Sequence, residues 1–134
     1  MQTNLIYAIV PAADLSRARK FYENLGLKAI AEDPWPGVTF EGGDGSLLYL
    51  YQTPNAGKAP HTLAGFSVDD VEATVDGLRA KGVRFEEYQT PDLKTVNGIA
   101  TVGPVKSAWF KDTEGNILAI DNMKSVLRQS HVRT

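Results

Sequence analysis

The chain has 134 residues, of which 43% are apolar and 22% charged, and it carries a formal charge of −2. That length suits one compact domain or two very small modules sharing a core, and the scattered Lys and Arg residues make no basic surface for a nucleic-acid backbone. The absence of cysteine excludes disulfides, a thiol nucleophile and thiolate metal sites, and it fits a reducing cytoplasm.

The first residues, Met1-Gln2-Thr3-Asn4, lack the basic-then-apolar pattern of a secretory leader. No apolar run approaches the ~18 residues that a membrane helix needs. A soluble cytoplasmic domain is therefore expected.

Residues 7 to 27, "YAIVPAADLSRARKFYENLGL", read as an apolar strand feeding a short helix. Asp14 can cap the helix by accepting its orphan first-turn N–H groups. Leu15, Ala18, Tyr22 and Leu25 recur at helical spacing, and Gly26 suits the left-handed residue that ends a helix. Strand patterns follow at 27–32, 38–41 and 47–52. "GGDG", residues 42 to 45, joins the last two as a hairpin turn. "TPNAGKAPH", residues 53 to 61, is a connector rich in turn residues.

The pattern then repeats. In "LAGFSVDDVEATVDGLRAKGV", residues 63 to 83, a strand again meets a capping Asp, Asp69 or Asp70, then a helix with Val71, Val75 and Leu78 on one face, and a Gly. Asp14 and Asp70, like Gly26 and Gly82, are 56 positions apart (70 − 14 and 82 − 26). Strand patterns follow at 83–88, 106–111 and 116–122, while residues 90 to 104 read as a long loop of the kind that covers sites in small domains. The order is thus β-α-β-β-β, twice. Module one is expected over about 4–54 and module two over about 60–123, within one domain of residues 1–124, and 125–134 is expected to be a C-terminal tail. Neither half can bury much alone, so an α+β fold with a curved mixed sheet and helices outside is expected, its concave face being the place for a ligand.

Three segments resemble the vicinal oxygen chelate superfamily of glyoxalases, bleomycin-resistance proteins and extradiol dioxygenases. They are "VPAADLSRARKFYENLGL", "FSVDDVEATVDGLRAKG" and "WFKDTEGNILAI". The resemblance covers residues 5 to 122 and implies the paired βαβββ fold and a homodimer. Metal enzymes of that family draw His, Gln or Glu ligands from four strand positions, which correspond here to Tyr7, Tyr49, Leu63 and Ala119. A neutral phenol is a poor ligand for the divalent metals concerned, and Leu and Ala cannot ligate. No metal and no other cofactor is therefore expected.

Strand alternation gathers Tyr7, Tyr49, Tyr51 and Trp109 on the presumed concave face, with Leu63 and Ala119 among them and Trp35 and Phe40 at its rim. Such rings suit stacking on a planar or amphipathic ligand. Phe21, Phe66, Phe85 and Phe110 are expected on the helix side. The expected function is metal-independent binding of a small aromatic or amphipathic molecule, as in bleomycin-resistance-type sequestration. The alternative is a glyoxalase-like lyase or isomerase, or a dioxygenase-related enzyme, with His61 and Asp121 as a non-standard acid/base pair. Asp112 and Glu114 read as chemistry local to their turn. Neither a phosphate loop nor a serine-hydrolase elbow occurs.

Overall fold

The computed structural model describes residues 1–32 and 37–132, with side chains to residue 129. Trp35, expected at the rim of the ligand face, lies outside the described residues. The strands form two four-stranded sheets, one from each half of the chain.

In the first half, β1 (Ala8–Ala12) leads into α1 (Leu15–Asn24), followed by β2 (Lys28–Glu32), β3 (Gly37–Glu41) and β4 (Leu47–Gln52). The sheet order is β1-β4-β3-β2. β1 runs parallel to β4, and the β4–β3 and β3–β2 pairs are antiparallel. The second half repeats the plan with β5 (Thr62–Ser67), α2 (Val71–Ala80), β6 (Ile99–Val102), β7 (Val105–Lys111) and β8 (Ile117–Asp121), in the order β5-β8-β7-β6. The predicted pair of βαβββ modules is therefore the observed architecture.

Both helices start and stop where the sequence places their signals. The Asp14 carboxylate accepts the Arg17 N–H at 3.0 Å, and the Asp70 carboxylate accepts the Ala73 N–H at 2.9 Å. Each removes one orphan donor from a first turn. Ala18 and Tyr22 of α1, and Val71, Val75 and Leu78 of α2, are buried. Gly26 and Gly82 take φ of +107° and +93° just past the helices, a region closed to most L-residues.

Two regions differ from the sequence expectation. Residues 83–88 supply only an isolated bridge, Phe85 to Phe110. The fourth strand of the second sheet is β6, taken from the stretch expected to be loop. Thr95, only 1% exposed, organises what precedes it. Its hydroxyl accepts the Tyr88 N–H at 2.8 Å and donates to Glu87 at 3.0 Å, so residues 87–95 fold back on themselves. Residues 123–132, which run into the segment expected as a C-terminal tail, form a third helix, α3 (Met123–Val132).

Two compact units result. One comprises residues 1–63 with the turn 112–116, and the other residues 64–111 and 117–134. The first unit is locked by that turn. Asp112, Glu114 and Asn116 are all buried, and each of their polar groups finds a partner, as burial demands. Asp112 accepts the Tyr22 hydroxyl at 2.5 Å and, at 2.9 Å each, the backbone N–H groups of Glu114 and Asn116. The Asn116 amide donates to the Pro11 carbonyl at 2.8 Å and accepts the Gly57 N–H at 3.1 Å.

Glu114 reaches beyond its own turn, contrary to the expectation of local chemistry. It accepts the Asp14 N–H at 2.8 Å and a forked pair of Arg17 N–H groups at 2.8 and 3.1 Å. A helix start often uses a Glu three residues after the cap to satisfy the cap's own N–H. Here that place holds Arg17, and Glu114, one hundred residues away in sequence, supplies the missing acceptor. Burial pushes the Glu114 carboxyl up, but hydrogen bonds from Arg17, Asp14 and Thr113 overcome this and hold it at about 2. Burial, aided by the Asp112 charge, raises the Tyr22 phenol far above its ordinary range.

Candidate functional site

The side of each sheet away from its helix carries Tyr49 and Tyr51 in the first half and Trp109, Ala119 and Asp121 in the second. In the first sheet, Val10 and Ala12 of β1 and Leu48 and Leu50 of β4 are buried. The alternate residues Ile9, Tyr49 and Tyr51 therefore occupy the opposite, open face. The rings of Tyr49 and Tyr51 lie nearly parallel, 9° apart, with centroids separated by 6.3 Å. Across the strands, Tyr49 pairs with Ile9 and Thr39, and Tyr51 with Pro11 and Gly37.

Gly37 is buried, and a Cβ placed on it would sit 2.5 Å from the Tyr49 hydroxyl oxygen and 2.8 Å from its ring. The Tyr49 ring thus lies across a position that only glycine leaves empty. Tyr7 falls just before β1 and is 50% exposed. Phe40, expected at the rim, is instead fully buried against Tyr22, with centroids 5.9 Å apart. It follows Thr39 and so points to the helix side.

In the second sheet, Ala108, Phe110, Leu118 and Ile120 form the buried side, with Phe85 against Phe110 at 5.5 Å. Trp109, Ala119 and Asp121 lie opposite. Trp109 is level with Ala119, and Ser107 with Asp121. Leu63 and Gly65 of β5 belong to the same alternation. The Tyr88 ring meets Trp109 edge to face, with centroids 5.5 Å apart and planes at 89°. Sequence reasoning missed Tyr88. Its segment looked like a regular strand, and the fold-back around Thr95 that aims the ring has no periodic signal.

The two acid/base candidates are placed differently. His61 is exposed, and its Nδ1 lies 3.1 Å from the Thr62 carbonyl. One Asp121 carboxylate oxygen accepts the Met123 N–H at 3.0 Å, at the start of α3. An open depression of about 520 Å³ runs along the outer side of α1, lined by Asp14, Ser16, Arg17, Lys20, Phe21, Asn24 and Thr113. Among the described residues, none of those named as site residues from sequence borders it.

The donor chemistry does not fit a divalent metal. The four positions present two phenols, an isobutyl group and a methyl group, and the Tyr49 hydroxyl is packed over Gly37. Among the described residues, no three His, Cys, Asp or Glu side chains gather closely enough to hold an ion.

The fold is that of the glyoxalase and bleomycin-resistance proteins. The model of the Glyoxalase/Bleomycin resistance protein/Dioxygenase superfamily matches residues 4–120, and the chain belongs to that family. The solved structure of UcmS2 is similar, with 20% identity over 91% of this chain and 99% of that one and a TM-score of 0.71. A bleomycin-binding protein complexed with bleomycin shares 18% identity over 89% of this chain and 98% of that one, with a TM-score of 0.67. Lactoylglutathione lyase from Agrobacterium tumefaciens shares 20% identity over 90% and 94%, with a TM-score of 0.64. At these identities the likeness establishes the fold. Among the described residues, no helix is long and apolar enough to cross a membrane.

Proposed function

We propose that the protein binds a small planar or amphipathic organic molecule, without a metal, on the open faces of its sheets. The observation that carries this reading is the parallel Tyr49–Tyr51 pair, two flat rings with polar tips on a face that α1 does not cover. Such surfaces gain from burying aromatic area, and the Tyr51 hydroxyl orients the guest. Trp109 extends the same chemistry to the second sheet, level with Ala119, and Tyr7, Trp35 and Leu63 complete the proposed set. A relative that holds bleomycin supports sequestration as a use of this fold, although fold alone does not carry function.

We further propose that the protein works in the cytoplasm as a homodimer. Leu5, Ile6, Tyr7 and Ile9 are 47%, 86%, 50% and 56% exposed in one short stretch, an apolar strip that a second copy would cover.

The test pairs elemental analysis of purified protein with a screen of small aromatic compounds followed by tryptophan fluorescence. Saturable quenching in metal-free protein is expected, and it should be weakened at least tenfold by Tyr49→Ala or Trp109→Ala. A stoichiometric divalent metal bound through Tyr7, Tyr49 or His61 would overturn the reading.

A further inference from the structure

The open face of the second sheet brings two small residues, a pair of aromatic rings and a carboxylate close together. Across its open face, Gly65 on β5, Ala119 on β8 and Trp109 on β7 lie side by side, the last two in direct register. Two small residues thus lie next to Trp109, which Tyr88 braces edge-on. One step along the strands lies the Asp121 carboxylate, level with Ser107.

Gly65 is the informative residue. It stands mid-strand, where glycine weakens the ladder and offers nothing to pack. Its backbone does not require glycine, since its φ is outside the left-handed region. Nor does crowding require it, because a Cβ there would meet only the Ala119 carbonyl at 3.8 Å and Asp121 Oδ2 at 3.9 Å, both ordinary contacts. The effect of the missing side chain is to leave the space in front of Asp121 Oδ2 open. Asp121 Oδ1 is engaged by the Met123 N–H, which fixes the carboxylate's direction and leaves Oδ2 toward that opening.

We infer that this cluster is a subsite for an organic cation, with Asp121 pairing the ammonium group and Trp109 with Tyr88 receiving the aromatic part. This rests on the proposed binding function and names the ligand class. Diagonal neighbours on one sheet face, such as Trp109 and Asp121, are about 7–8 Å apart, a span that an arylmethylamine bridges. The carboxylate supplies a charge-assisted hydrogen bond, and the indole and phenol rings stack on the aryl group. Neutral or acidic analogues of the same shape keep the ring contact and lose the ionic one.

The experiment compares three probes of one shape: 2-naphthylmethylamine, 2-naphthylmethanol and 2-naphthoate. Binding is read from the Trp109 indole N–H resonance, assigned by its loss in Trp109→Phe. The amine is expected to bind at least tenfold tighter than the alcohol, and the carboxylate weakest. Asp121→Asn, which keeps an oxygen for the Met123 N–H, is expected to abolish the preference for the amine over the alcohol. Gly65→Leu is expected to weaken the amine at least tenfold with an unchanged circular dichroism spectrum. Equal affinity for amine and alcohol, or a preference that survives Asp121→Asn, overturns the cation subsite and leaves aromatic binding standing. If no probe binds either this face or the Tyr49–Tyr51 face, both readings fall.

Discussion

Glu114 shows how one buried side chain can tie a local turn to a distant helix. Its folded carboxyl is held at about 2, below the ordinary value of 4.5, so the folded state prefers the ionised form. The stabilisation is therefore complete above pH 4.5 and drains away as pH falls toward 2. Urea unfolding of wild type and Glu114→Gln should differ most near neutral pH, and the gap should close as the solution is acidified through that window. Tyr22→Phe removes the only hydroxyl donor to Asp112 among the bonds described, and should cost about 1.5–3 kcal/mol, as for hydrogen bonds to charged groups. An unchanged urea midpoint for Tyr22→Phe would show that water replaces the phenol. The sequence announced Tyr22 as a helix-face residue by its spacing. It could not announce the bond to Asp112, because a pair ninety positions apart leaves no local periodicity.

At the scale of elements, helices and their caps were the most readable parts, since each depends on signals within a few residues. Asp14, Asp70, Gly26 and Gly82 all fell where capping chemistry placed them. The fourth strand of the second sheet was not readable. β6 is short, its pattern is weak, and its place depends on pairing with β7 and on the fold-back that Thr95 holds. The aromatic positions of the open faces were legible by alternation wherever a strand was regular, as for Tyr49, Tyr51 and Trp109. Phe40 departs from the rim because it alternates with Thr39 on β3 and so turns to the buried side. Thr95→Val keeps the shape but removes a hydroxyl that serves Tyr88 and Glu87, so residues 87–98 should exchange amide hydrogens faster. Because Tyr88 rides on that fold-back, Trp109 emission should shift with it. Gly37→Ala should drive the Tyr49 ring off β3 and weaken ligand quenching, whereas Gly65→Ala should be tolerated.

For the whole molecule, the repeat of 56 positions was legible because each module reuses the same cap and stop residues. That the first compact unit also takes in residues 112–116 was not, because those five residues lie far along the sequence. The exposed strip from Leu5 to Ile9 is where assembly can be tested. Sedimentation should give twice the 14.6 kDa chain mass, and Ile6→Asp with Ile9→Asp should return the monomer with its helical signal intact. The turn 112–116 carries a further consequence, for the order of events during synthesis. When the ribosome has made residue 63, the first sheet and α1 exist as chain but lack the acceptors for Tyr22, the Asp14 N–H and Arg17. At about 5–20 residues per second, several seconds pass before residue 116 is added. Through that interval the N-terminal half must wait, held incomplete by a clasp that has not yet been translated.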